Sequence, residues 1–385
     1  MDRHERGRRE FEALIGSPPE EALREVRLRS PGMYDAVVEG GFGGTLAESD
    51  LARATREVAT VAMLSALGGA EPQLTVHAKA ALRAGVAPSE LRALCEHVAG
   101  YAGFPRALNA LTVVDEVLAG AGVPRPAATQ RVDLRDHSTT VAGYGDSGPA
   151  VVLIHALGLD RRMWDLVLPG LAAGRRVFAY DVRGHGSAAG APVPAAMTDT
   201  GADLLGVLDA LGLEQAHVVG LSYGGGIAQA AAVGAPERFA SLSLLATTDR
   251  PSDGFEGRAV AAEEEGMAAQ VVPSLTRWFT PAALASNGWG VRYARECVLR
   301  GDTADWSGAW RAFRNFDVQD GLARLDLPVL VLAGDQDAST TPAIMSEIAT
   351  RIPGARYREL PGAPHMQSLE TPDLVTAALD DFLPA

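Results

Sequence analysis

The stretch that decides the fold is His217-Val-Val-Gly220-Leu221-Ser222-Tyr223-Gly224-Gly225. An apolar β-type run from His217 to Leu221 leads into it, and a helical run from Gly225 to Ala232 leaves it. A turn this sharp between strand and helix crowds the backbone around the serine, which accounts for a glycine two positions to either side. The same turn exposes the Ser222 hydroxyl and sets it near the positive end of the following helix. A bare GxSxG pattern is common; the strand–turn–helix setting makes this one specific.

On both sides of this stretch, short apolar runs alternate with helical segments: Val151–Ile154, Val177–Tyr180, Leu242–Leu245, Val329–Leu332 and Tyr357–Leu360. Runs of this kind are strands buried on both faces, and their alternation with helices means βαβ units and a mostly parallel sheet. From Asp249 to about Ala323 the alternation lapses into helical sequence carrying Trp278, Trp289, Trp306 and Trp310. That interruption is expected to form a helical cap, at about 249–323 within a domain spanning 130–385.

An activated serine needs a base and an orienting acid, which follow in that fold in the order Ser, acid, His. After Val329–Leu332 comes Gly334-Asp-Gln-Asp337-Ala-Ser-Thr-Thr-Pro342, where two carboxylates compete. Asp337 lies three residues past the glycine and just before the Thr-Pro that opens the next helix, so it is expected to be the acid rather than Asp335. His365 sits in Gly362-Ala-Pro-His365-Met, a loop after the run Tyr357–Leu360, and is the expected base. The backbone amides of Tyr223 and of Leu157, in His155-Ala-Leu157-Gly158, are the expected oxyanion donors. His155 and His185 also end strand motifs, and both read as structural anchors rather than proton carriers.

Upstream of this domain the pattern is all helix. Ser17-Pro-Pro-Glu20 has the form of a helix start. Further helices are expected from Asp50 to Leu67, Glu71 to Ala84, Pro88 to Tyr101, and after Gly103-Phe-Pro105 to Leu118. The expected helical domain is therefore 1–118, and the Gly/Pro/Ala-rich segment 119–129 is the expected linker.

Composition narrows the partners. With 34 basic against 48 acidic residues and a net charge of −14, the chain lacks the basic surface that nucleic acid or an anionic membrane requires. Its only cysteines, Cys95 and Cys297, are far apart and in no metal-ligand spacing, so neither a disulfide framework nor a metal site is expected. The charged segment Met1–Glu12 has no apolar signal core, and no apolar stretch is long enough to span a bilayer. The expectation is a cytoplasmic protein without metal or cofactor.

The residues of the second domain resemble the 3-oxoadipate enol-lactonase branch of the α/β-hydrolases. The resemblance is carried by His155-Ala-Leu-Gly-Leu-Asp-Arg-Arg-Met-Trp164-Asp, by Trp278-Phe-Thr-Pro281 and by Phe316-Asp-Val-Gln-Asp-Gly-Leu leading to Leu327-Pro-Val-Leu-Val-Leu-Ala-Gly334, and it covers about Val132 to Leu383. Tyr223 departs from it, standing where a smaller or unbranched residue is common. The helical part resembles the carboxymuconolactone decarboxylase family over about Tyr34 to Leu118. Its match lies in Arg56-Glu57-Val-Ala-Thr-Val-Ala-Met-Leu-Ser-Ala-Leu67, His77-Ala-Lys-Ala-Ala-Leu-Arg-Ala-Gly85 and Tyr101-Ala-Gly-Phe-Pro105. Redox relatives carry a CxxC where this chain has Ala70 and Gln73, so peroxidase chemistry is not implied.

Together the resemblances imply a 4-carboxymuconolactone decarboxylase fused to a 3-oxoadipate enol-lactone hydrolase, taking a small-molecule lactone and assembling as a homo-oligomer. The candidate decarboxylase residues are His77 as proton carrier, Glu57 as its orienting partner, and Arg56 or Arg106 as carboxylate holder. The alternative for His77, between Leu74, Ala78 and Ala81, is a satisfied core histidine, and Arg56 with Glu57 could form a structural ion pair. The alternative for the whole chain is a lactonase or esterase of secondary metabolism with a non-catalytic, assembly-forming helical domain. In the hydrolase domain, Arg161, Arg162, Arg292 and Arg295 are the arginines weighed for a substrate carboxylate, against a solvated surface role.

Overall fold

A computed structural model describes residues 2–384 except 122 and 124–126. The chain divides into two compact units, Met1–Arg125 and Pro126–Ala385. Part of the segment expected as a linker, 119–129, lies outside the described residues; the last helix before it runs to Gly120 and the first strand begins at Ala128.

The first unit is helical throughout its described residues. Its larger core joins Val61, Leu74, Ala78, Leu91, Cys95, Val114 and Leu118, contributed by the helices Arg53–Leu67, Glu71–Ala84, Pro88–Ala102 and Phe104–Gly120. The first of these starts three residues later than its apolar spacing indicates. Ser17 makes no capping bond; Pro18 occupies the cap position of a short helix, Pro19–Ala22. A smaller cluster packs Phe11 and Leu14 of the helix Arg3–Ile15 against Phe42, with the two rings 4.7 Å apart. Phe42 lies in an 11-residue π-helical segment, Ala36–Leu46.

The second unit is built on eight strands: β1 (Ala128–Asp133), β2 (Ser138–Tyr144), β3 (Ala150–Ile154), β4 (Arg176–Tyr180), β5 (Ala216–Leu221), β6 (Phe239–Leu245), β7 (Val329–Gly334) and β8 (Arg356–Leu360). They lie in the order β1-β2-β4-β3-β5-β6-β7-β8. β1 pairs with β2 and β2 with β4 antiparallel, and the remaining pairs are parallel. Every residue of β3 and β7 is buried, as continuous apolar runs require when both faces of a sheet are covered. Each Val or Leu so buried stabilises the fold by about 1.5–3 kcal/mol before entropy is counted. Ligands of such sheets gather beyond the carboxyl ends of the strands, and there the loops after β3, β5 and β7 present Leu157, Ser222 and Asp337.

Between β6 and β7 the chain forms the helical cap, with principal helices Gly254–Glu265, Met267–Trp278, Trp289–Arg300 and Thr303–Arg314. Trp278, Trp306 and Trp310 are buried, so these tryptophans serve the core between cap and sheet.

Candidate active site

β5 lies between β3 and β6, and its carboxyl end turns at Ser222 into the helix Tyr223–Gly234. Ser222 has φ 56° and ψ −116°, a region that costs a non-glycine residue on the order of 1–3 kcal/mol unless its surroundings enforce it. They do so here. A side chain on Gly220 would strike the Gly224 carbonyl, and one on Gly224 would strike the Ile154 and His155 carbonyls. The Ser222 amide donates to the Leu245 carbonyl at 2.8 Å, and the Thr247 hydroxyl donates to the Ser222 carbonyl at 2.7 Å.

The Ser222 hydroxyl lies 3.0 Å from His365 Nε2, and His365 Nδ1 lies 2.8 Å from Asp337 Oδ2. Because the carboxylate accepts, Nδ1 carries the proton and Nε2 is left to accept from the serine. Asp337 also receives the amides of Ser339 and Thr340, at 2.7 and 3.0 Å, and the Thr340 hydroxyl at 2.6 Å. Burial alone would raise the Asp337 pKa; His365 and the Thr340 donors outweigh it and hold the pKa below the usual carboxylate value. Asp335 points elsewhere, accepting the Gly362 amide at 2.7 Å. The structure therefore brings Ser222, His365 and Asp337 into one relay that can move a proton from the hydroxyl to the ring.

Leu157 lines the same cavity as Ser222 and His365. Tyr223 is the first residue of the helix after the serine, and its buried ring meets Phe313 edge-on at 5.5 Å. His155 bridges two strand ends, Nδ1 donating to the Ala156 carbonyl and Nε2 accepting the Val182 amide, both at 2.8 Å. Burial, and then the neighbouring His185, push its pKa down to about 4, so it stands neutral as an anchor. His185 likewise bonds the Arg183 carbonyl at 2.9 Å.

The cavity in front of Ser222 has a volume of about 300 Å³ and is lined by Phe255, Trp278, Trp310 and Phe313 as well as three arginines, Arg250, Arg258 and Arg277. Arg250 is paired with Asp249 and Glu347. The other two make no ion pair among the described residues. Arg258 lies over the Trp310 ring at 4.7 Å and over Phe255 at 5.5 Å. Among the described residues Arg277 donates only to the Ser274 hydroxyl, at 3.3 Å. Burial lowers the pKa of both, and burial together with the nearby Arg258 brings Arg277 down to about 10. Both still carry charge at neutral pH, and each is desolvated without a counter-ion, an arrangement that favours an anionic ligand. Sequence reading missed this pair, although Arg277 adjoins the Trp278 motif. Of the arginines it did weigh, Arg161 pairs with Asp181, Arg162 with Asp160, and Arg295 bonds Asn287.

In the helical unit, His77 Nδ1 lies 2.8 Å from Glu57 Oε2. Glu57 is buried and the His77 ring is partly exposed, so a buried carboxylate orients a ring that reaches the surface. Arg56 is not joined to this pair: its guanidinium bonds Glu10 and the Leu46 carbonyl. Arg106 is exposed and donates to the Ala66 carbonyl at 2.8 Å.

Residues 149–372 match the family described as alpha/beta hydrolase fold, and residues 31–116 match the carboxymuconolactone decarboxylase family. The chain is 30% identical to 3-oxoadipate enol-lactonase 1 of Acinetobacter baylyi over 246 residues, covering 62% of this chain and 90% of that one. Among solved structures it is similar to a hydrolase from Pseudomonas aeruginosa PA01 (32% identity, TM-score 0.63, 67% of this chain and 98% of the other). It is also similar to the enol-lactonase from Burkholderia xenovorans LB400 (30% identity, TM-score 0.62, 66% and 99%). The chain thus belongs to the alpha/beta hydrolase fold family and carries, ahead of that domain, a domain of the carboxymuconolactone decarboxylase family.

Proposed function

We propose that the chain performs two successive reactions, decarboxylation of 4-carboxymuconolactone in domain 1–118 and hydrolysis of the resulting 3-oxoadipate enol-lactone in domain 130–385, joined by the linker 119–129. Loss of CO2 leaves a dienolate, which the His77–Glu57 pair reprotonates. In the second domain Ser222 attacks the lactone carbonyl while His365 takes its proton. The Leu157 and Tyr223 amides stabilise the oxyanion, a donor of this kind contributing about 3 kcal/mol. The ring C–O bond then breaks, His365 returns the proton to the departing enolate, and the enol ketonises. Water, deprotonated by His365, releases the acid and restores Ser222.

The observation that carries this reading is the relay Ser222–His365–Asp337 sharing its cavity with the unpaired Arg258 and Arg277, which suits a lactone bearing a carboxylate. It is tested by incubating the chain with 4-carboxymuconolactone and following CO2 and 3-oxoadipate. Wild type is expected to release both, and Ser222→Ala to release CO2 while accumulating enol-lactone. Release of neither by wild type, with simple esters still cleaved, would reduce the function to that of a hydrolase.

A second reading rests on the exposed Met63, Leu67, Tyr101, Phe104 and Leu108 of the helical unit. In it the unit serves homo-oligomeric assembly only, and the chain is a lactonase or esterase of secondary metabolism. His77→Asn separates the two, since only the bifunctional chain loses CO2 release. A homo-oligomer and a cytoplasmic location are part of both readings. No helix of the described residues is long and apolar enough to cross a membrane.

A further inference from the structure

We propose that Tyr293, on the cap helix Trp289–Arg300, is a positioning residue that holds the oxyanion loop, so that the cap sets the alignment of the Leu157 amide. The inference rests on the serine-hydrolase reading above and adds to it a residue that never touches substrate.

The loop runs from His155 to Asp160. Its first residue is fixed from the sheet side by the His155 bonds to Ala156 and Val182. Its last is fixed from the cap. The Tyr293 hydroxyl accepts the Asp160 amide at 3.1 Å and directs its single proton at the Asp160 carbonyl and carboxylate, both at 3.0 Å. Asp160 in turn accepts the Arg162 amide and guanidinium, at 2.9 and 2.6 Å. Tyr293 is held as firmly as it holds: its ring is buried, stacks on Trp289 with centroids 5.2 Å apart, and lies under the Arg162 guanidinium. Burial, with Asp160 beside it, pushes the Tyr293 pKa well above its usual value, so the hydroxyl stays protonated.

A second cap contact lies between these anchors. Gly158 has φ +79°, and a side chain there would strike Trp306 and press on Trp278, both from the cap. Leu157 is therefore confined between His155 on one side and two cap contacts on the other. Neither Tyr293 nor Asp160 lines the cavity at Ser222. The His365 loop has a tie that does not run through Tyr293, the Met366 amide donating to the Trp278 carbonyl at 3.0 Å.

Removing the hydroxyl leaves the buried Asp160 amide without its partner and frees the loop to shift. A donor displaced by a fraction of an ångström loses much of its value in the transition state and little in the ground state. The experiment uses the full chain with p-nitrophenyl acetate, whose acyl group carries no charge for Arg258 or Arg277 to bind, and phenylboronic acid, which adds to a serine as a tetrahedral adduct. For Tyr293→Phe, kcat is expected to fall about tenfold, KM to stay within about twofold, and boronate affinity to fall with kcat/KM. Trp289→Leu, which keeps the hydroxyl but loosens the ring, should show the same pattern at smaller size, and it carries the test if Tyr293→Phe does not fold. Unchanged kcat and boronate affinity, with or without a lower melting temperature, overturn the proposal. Wild-type esterase activity in Ser222→Ala overturns the serine reading itself, and the proposal with it.

Discussion

Thr340 donates its hydroxyl to Asp337 Oδ2 at 2.6 Å, the same oxygen that meets His365 Nδ1 at 2.8 Å. The threonine therefore fixes the carboxylate that fixes the histidine. Thr340→Val removes that donor while keeping the shape. The expected result is a fall in kcat of about threefold to tenfold with KM unchanged, and a loss of about 1 kcal/mol in stability. The pH dependence has a definite sign. Asp337 has a depressed pKa, so its stabilising contribution is full above the ordinary carboxylate range and is lost as pH falls through the depressed value. Thr340→Val moves that loss to higher pH. Steady-state kinetics and acid titration of folding check both points; an unchanged acid transition would mean that the hydroxyl does not hold the charge.

The relay was legible in the chain because each member sits at a strand end with its own local pattern, and Asp337 over Asp335 followed from its place before Thr341-Pro342. Other parts had no local signal. In β1 only Val132 is buried, the rest being Ala128, Thr129, Gln130, Arg131 and Asp133 at the sheet's exposed edge, so no apolar run marks it. β2 is paired on both sides, yet apart from Val141 and Tyr144 it is written in Ser, Thr, Ala and Gly. Tyr293 and Asp160 are 133 positions apart, and only the folded cap joins them. Arg258 and Arg277 belong to the cap helices Gly254–Glu265 and Met267–Trp278, and helical periodicity does not tell which charged position faces a cavity until the cap lies over the serine. Arg56 shows the converse. Its neighbour Glu57 joins His77, but successive helical residues point about 100° apart, and Arg56 turns to Glu10.

The two unpaired arginines predict selectivity for charge. Arg277→Met and Arg258→Met should each raise KM for a lactone bearing a carboxylate about tenfold to a hundredfold, the range of a lost charge-assisted hydrogen bond. Hydrolysis of an uncharged ester should change less than about threefold. Because removing one cation relieves repulsion on the other, both variants should also be at least as stable as wild type. Equal losses on charged and uncharged substrates would assign these residues to cap packing instead.

Two buried histidines of the hydrolase unit and one half-buried one predict its behaviour in mild acid. His155, His185 and His217 all have pKa values lowered by burial, His155 to about 4. The unfolded chain takes up protons near pH 6.5, which the folded chain takes up only at lower pH, at about 4 for His155. Stability is thus full above about pH 6.5 and falls as pH drops toward 4, by about 1.4 kcal/mol per pH unit for each proton involved. All five tryptophans, from Trp164 to Trp310, lie in this unit, so fluorescence melts report on it alone. His155→Gln should flatten the slope between pH 6.5 and 4.5 by one proton's share. A slope identical to that of wild type would contradict the buried neutral imidazole.

In the helical unit, Arg56 and His77 should fail differently. Arg56 is buried and joins Glu10 of the first helix to the Leu46 carbonyl, so Arg56→Met strands two acceptors. Glu10 keeps Arg53 at 2.7 Å, which limits the loss to about 1–3 kcal/mol. His77 is partly exposed and its Nε2 makes no hydrogen bond among the described residues, so His77→Asn should cost little stability and abolish CO2 release. This unit contains no tryptophan, and a transition seen by far-UV circular dichroism but not by fluorescence belongs to it. Arg56→Met should lower that transition and leave CO2 release per folded molecule within about threefold. If it spares the transition and abolishes CO2 release, Arg56 leaves Glu10 to hold the substrate carboxylate, and the structural role assigned to it here is wrong.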